Sequence, residues 1–162
     1  MPNTALRVGE AITALVSNRP EGRGIELALR LFASAGKTID VAKDQLDAVT
    51  AVGGSGPAFF LAAIGAAIEG GVAAGLHPDQ AREITLQAVR GAVALASGSS
   101  TTPEDEIAEI VTPGGCTAVG LESLQAARFA AAFSTAIVQA ANRAAEIGGD
   151  AATGRTSDWS HE

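Results

Sequence analysis

A mainly α protein, an interlocked helical dimer preceded by a short strand–helix–strand unit, is the fold this sequence predicts. Three observations point there. From Lys43 to Ile147 apolar residues recur at helical spacing, punctuated by glycine and proline. Residues 11–42 instead read strand, amphipathic helix, strand. The helical part is so rich in Ala and Gly that its helices must approach closely and bury much of their circumference, which makes a thin core for one chain. A compact monomeric bundle is the competing architecture, because short loops favour antiparallel neighbours.

The elements follow in order. "AITALV" (11–16) reads as a short buried strand. "GIELALRLFASAG" (24–36) is an amphipathic helix, with Ile25, Leu29 and Phe32 among its apolar residues and Gly36 ending it. "KTIDVA" (37–42) alternates as a second strand. Two strands make a marginal sheet whose open edges need a partner. A helix over 44–52 is expected to break at the glycines of 53–56. A long apolar helix then runs from Pro57 to about Ala74, with Gly75 as its stop. Pro78 opens the next helix, which reaches about Ser97, and "SGSSTT" (97–102) is a polar link. Thr102-Pro103-Glu104-Asp105 is a helix start, with a threonine cap, an early proline and an acid three residues past the cap. A final helical region spans Thr117 to Ile147 with a break near Ala127. The expected domains are 1–42, 43–148 and a flexible tail, 149–162.

Composition excludes several function classes. The formal net charge of −7 argues against nucleic acid, whose affinity depends on Lys and Arg neutralising phosphates. A single cysteine rules out an intrachain disulfide framework and any cysteine-built zinc site, and fits a cytoplasmic setting. Residues 51–76 carry Glu69 as their sole charge and invite a membrane reading, since a span takes about 20 apolar residues. The Gly53–Pro57 interruption and the acid favour a helix buried in protein, so no membrane partner is expected. His77 and His161 have no partners at metal-ligand spacing, and Glu69 reads as a pocket acid or as a paired or dimer-facing carboxylate.

"TPGGCT" (112–117) is the densest cluster of backbone signals. Gly114 and Gly115 can take positive φ and expose N–H groups without a Cβ in the way. Thr117 begins a helix whose first turn has free donors and the positive dipole end. With the hydroxyls of Thr112 and Thr117, this is a cradle for a carboxylate or phosphate. Taken alone, the six residues also make a plain helix–turn–helix connection, and that reading stands ahead until other residues are considered. Cys116 has no nearby histidine to act as base, so it reads as a small packing residue before a nucleophile. "GGSGP" (53–57) is a weak phosphate signal, because a helix precedes it where a dinucleotide fingerprint needs a strand.

Four stretches resemble the pyrroline-5-carboxylate reductase family: "MPNT" (1–4), "LDAVTAVGGSGPAFF" (46–60), "EGGVAAGL" (69–76) and "VTPGGCTAVGLESL" (111–124). The resemblance runs from Met1 to about Gly148. It implies the family's C-terminal type of interlocked all-helical dimer, or a higher oligomer built from it, with most of the N-terminal Rossmann domain lacking and residues 1–42 as its remnant. It also implies that Thr112, Gly114, Gly115, Cys116 and Thr117 bind a small cyclic carboxylate, with Thr117 beside the imine nitrogen as the catalytic position. Asn3 is implied as a weak cofactor contact. No GxGxxG follows a strand, so no cofactor is expected on this chain alone, and NADPH or NADH would come with a Rossmann partner. Gly53 and Phe59 stand where the family has serine and tyrosine, and Arg128 where it has glycine. Three functions follow: reduction of the imine to proline with a nucleotide domain supplied in trans, a standalone non-redox enzyme of cyclase or isomerase type, or a ligand-binding dimer reusing the same pocket.

Overall fold

The structure is a computed structural model that describes residues 1–16, 23–98 and 101–153. The chain divides into two compact units, one of Met1–Ala58 with the segment from Phe133 onward, the other Phe59–Ala132.

In the first unit a 3-10 turn, Thr4–Val8, leads into strand β1, Ala11–Leu15. Helix α1, Arg23–Ala33, crosses to strand β2, Gly36–Asp40, which runs parallel to β1 with Ala11 opposite Gly36 and Leu15 opposite Asp40. The other edge of β1 carries a single bridge, in which Ala14 N–H donates to Met1 O at 3.1 Å and the Met1 amine donates back to Ala14 O. Ala11, Thr13 and Ala14 are buried, so β1 is covered on both faces, as a short buried strand should be. The Thr13 hydroxyl is fully buried and has no hydrogen-bond partner. Gly36 does not end α1, as its position in the sequence suggests. It has φ 146° and begins β2, and a Cβ there would stand 2.1 Å from Ala11 O. Close strand approach is what requires glycine at this position.

The expected break at 53–56 is absent. A 3-10 turn (Lys43–Gln45) passes into α2, Leu46–Val49, then a π-helical segment, Thr50–Ser55, and α3, Gly56–Ala73. Glycine and proline count as breakers on propensity, yet a wide π turn can absorb a proline without ending the helix. The whole stretch Lys43–Ala73 is long and apolar enough, by length and composition, to cross a membrane, with only 11% of its most apolar window buried in the chain.

Within the second unit, Gly75 ends α3 at φ 106°, its N–H donating to Val72 O at 3.0 Å. Helix α4 is Pro78–Gly98, α5 is Pro103–Ile110 and α6 is Cys116–Ala126. Gly71 meets Ala81 so closely that an added Cβ would lie 3.2 Å from the alanine methyl, the close contact its small residues predict. Helix α7, Phe129–Thr153, belongs to the first unit from Phe133 onward and continues past Gly148, where the tail is expected to begin. Alanine-rich "GGDAAT" lacks an apolar stripe but adds turns to a helix already nucleated, and propagation needs no such stripe. The rest of that tail, with His161, lies outside the described residues, as do residues 99–100 of the polar link.

Candidate functional site

The 112–117 turn is built from its own residues. Helix α5 stops at Val111, whose backbone is extended at φ −80°, ψ 123°. Gly115 N–H donates to Thr112 O at 2.9 Å, closing a four-residue turn with Pro113 second and Gly114, at φ 71°, third. Proline then a positive-φ glycine is the signature of a type II turn. Gly115 is required for a different reason: a Cβ there would stand 2.4 Å from Thr112 Oγ1. The two glycines are therefore not interchangeable, one serving φ and the other a side-chain contact.

Gly115 is the N-cap of α6 and offers no side-chain acceptor. The N–H groups of Cys116, Thr117 and Ala118 occupy the first turn, where no intrahelical carbonyl is available. Thr112, Gly114, Cys116 and Thr117 are solvent-exposed and Gly115 is half-buried. Residues 111–127 contain no lysine or arginine, and Glu122 is their one charge. An anion here would thus be held by backbone donors, the helix dipole and the two threonine hydroxyls, without an ion pair. That chemistry suits a carboxylate presented in a fixed orientation.

The structure brings Thr112, Gly114, Gly115, Cys116 and Thr117 into one turn of the second unit. Asn3 lies in the first unit. Its Nδ2 donates to Gly53 O at 2.8 Å and its Oδ1 accepts from Ala5 N–H at 3.2 Å, so both ends of the amide are engaged with the chain. Cys116 is a free, exposed thiol. His77 pairs loosely with Asp79 at 3.8 Å, and Glu69 is exposed. Among the described residues no group of three His, Cys, Asp or Glu could hold a metal ion.

One residue that sequence periodicity passes over is Arg128. It is the sole described non-glycine residue with positive φ, at 55°, and it joins α6 to α7, its N–H donating to Gln125 O at 2.9 Å. A left-handed residue after a helix C-cap is normally glycine. Nothing in this chain's own sequence marks the position, because the residue there is an arginine.

Comparison with known proteins shows the family of the chain. The family model described as "Pyrroline-5-carboxylate reductase dimerisation" matches residues 43–147. A pyrroline-5-carboxylate reductase of Arabidopsis thaliana is 38% identical over 149 residues, covering 91% of this chain and 54% of its own length. Crystal structures are similar too. The Plasmodium falciparum pyrroline carboxylate reductase with NADP bound has a TM-score of 0.87 at 31% identity, across 91% of this chain and 61% of that one. The Coxiella burnetii pyrroline-5-carboxylate reductase has a TM-score of 0.83 at 30% identity, across 90% and 55%. The chain spans about half the length of such relatives.

Proposed function

The chain belongs to the pyrroline-5-carboxylate reductase dimerisation family, and from that premise we propose that residues 112–117 form the substrate cradle of an imine reductase. The ligand is a five-membered ring carboxylate. Its carboxylate takes the first-turn N–H groups of α6, and the Thr117 hydroxyl lies beside the ring nitrogen. The reaction assigned to that ligand is reduction of its C=N bond, which gives proline. The cradle contributes orientation of the imine and stabilisation of its charge.

The nicotinamide nucleotide, NADPH or NADH, supplies the hydride when bound. The residues present do not fit it. Between β1 and α1 the sequence is "VSNRPEG", which lacks the glycine pair that lets a backbone approach a pyrophosphate. We therefore assign the nucleotide to a separate nucleotide-binding domain supplied in trans. On this reading residues 1–42 are the end of a nucleotide-binding domain, and residues 43–148 are the dimerisation and substrate domain of a homodimer. The setting is cytoplasmic, consistent with a lone exposed thiol. The apolar stretch Lys43–Ala73 serves the dimer and not a membrane, since it contains Glu69 and overlaps the matched dimerisation region.

The observation that carries the proposal is the uncapped first turn of α6 behind Gly114 and Gly115. It is tested by calorimetric titration with L-proline, with and without NADPH. Binding of L-proline that weakens in Thr117→Ala by about 1–2 kcal/mol, the range for a hydrogen bond to a charged or buried group, supports it. Equal affinity for wild type and variant would remove Thr117 from the site. The replacement of the family's serine and tyrosine by Gly53 and Phe59 favours a second reading, a non-redox enzyme of cyclase or isomerase type on a related ring. Proline binding indifferent to NADPH fits either reading, and the second is set apart by predicting no proline formation when a nucleotide-binding partner is supplied.

A further inference from the structure

Pro57 sits two residues into α3 and has no N–H. In an α-helical register, the N–H of residue 57 is the donor that the Gly53 carbonyl would receive. Pro57 cannot supply that donor, and the carbonyl lies part-buried within the π segment Thr50–Ser55. Asn3, fifty residues earlier, fills the gap: its Nδ2 donates to Gly53 O at 2.8 Å. The same side chain caps the 3-10 turn Thr4–Val8 through Oδ1 and Ala5 N–H. Nearby, Thr50 Oγ1 contacts both Leu46 O at 2.7 Å and Met1 Sδ at 3.3 Å, and a Cβ on Gly53 would stand 3.1 Å from the Ile12 side chain. The N-terminal turn, β1 and the π segment thus meet around one proline-orphaned carbonyl.

We propose that Asn3 is a conformational latch: its amide replaces the helix donor that Pro57 lacks, and so holds the Thr50–Ser55 π turn in register with the N-terminal turn. The sequence motif at residues 1–4 then matters because of what it does to the helix at 53–57. The inference stands independently of the role given to residues 112–117.

Three variants of the full chain separate the latch from general destabilisation. Asn3→Ser keeps an acceptor for Ala5 N–H, and its hydroxyl, one bond shorter than the amide, falls short of Gly53 O. Pro57→Ala gives the helix its own donor. The third combines both. Amide hydrogen exchange is read over residues 50–56 and, as a reference, over α4. In Asn3→Ser, exchange over 50–56 should quicken about ten-fold, the change one net hydrogen bond gives, while α4 stays at the wild-type rate. Adding Pro57→Ala should bring 50–56 back towards the wild-type rate. Wild-type exchange in Asn3→Ser, an equal rise over α4, or a double variant as fast as Asn3→Ser would each overturn the latch.

Discussion

Arg128 shows at one residue how a fold can override a local preference. At φ 55° its Cβ is crowded by the neighbouring carbonyl, a conformation that costs about 1 kcal/mol or more for a side chain other than glycine. It persists because the α6–α7 connection needs a left-handed residue, and helices on both sides over-determine it. Arg128→Gly should therefore raise stability by about 1 kcal/mol despite the greater backbone entropy of glycine. Chemical denaturation with an unchanged m-value is the check, and a loss of stability would mean the guanidinium makes a compensating contact. The sequence allowed positive φ at both Gly114 and Gly115, and the structure has it at Gly114 alone, with Gly115 at φ −79°. Gly115 was not legible in that detail. Its need comes from the Thr112 hydroxyl 2.4 Å from where a Cβ would be, and no propensity encodes that contact.

At the scale of an element, α5 was the most readable part of the chain. Thr102 accepts from Asp105 N–H at 3.2 Å, and Asp105 accepts in return from Thr102 N–H at 2.9 Å, a reciprocal cap written as Thr-Pro-Glu-Asp. The backbone bond from Thr102, then its hydroxyl, holds the Asp105 carboxyl below the ordinary carboxylate value. A folded pKa below the unfolded one means stability that is present above the unfolded value and lost as pH falls through the folded one. Acid should thus fray α5 in wild type, and Asp105→Asn should flatten that low-pH dependence. Helix-resolved chemical shifts along an acid titration would measure it, and an equal acid response in the variant would refute the assignment. The α2–α3 connection was the least readable element. Gly53-Gly54-Ser55-Gly56-Pro57 looks like a break, but its proline-orphaned carbonyl found a donor in Asn3, a pairing across fifty residues. Propensity speaks only for neighbours within a turn or two, so it could not anticipate that bond.

The whole chain leaves too much apolar surface uncovered to be content alone. Leu61 is 65% exposed and Val119 62%, and the buried hydrophobic residues among those described are four alanines. An apolar groove of about 610 Å³ lies along α4 and α5, with Val93, Ile107 and Ile110 in its walls. A dimerisation domain is what such surface requires. Leu61→Lys should weaken the dimer at least about ten-fold, since losing even one buried leucine per subunit exceeds 1.4 kcal/mol. Sedimentation velocity across a dilution series reads this directly, and an unchanged dissociation constant would place Leu61 outside the interface. Unfolding midpoints should also rise with protein concentration. The sequence by itself determined the helical class, the strand–helix–strand start, a glycine turn before α6 and the cap of α5. Each rests on local periodicity or on backbone chemistry within a few residues. Only the tertiary structure decided that 53–57 stays helical, that Gly36 serves strand contact and that Arg128 is left-handed. Those outcomes depend on hydrogen bonds and steric contacts between positions that the linear pattern does not place side by side.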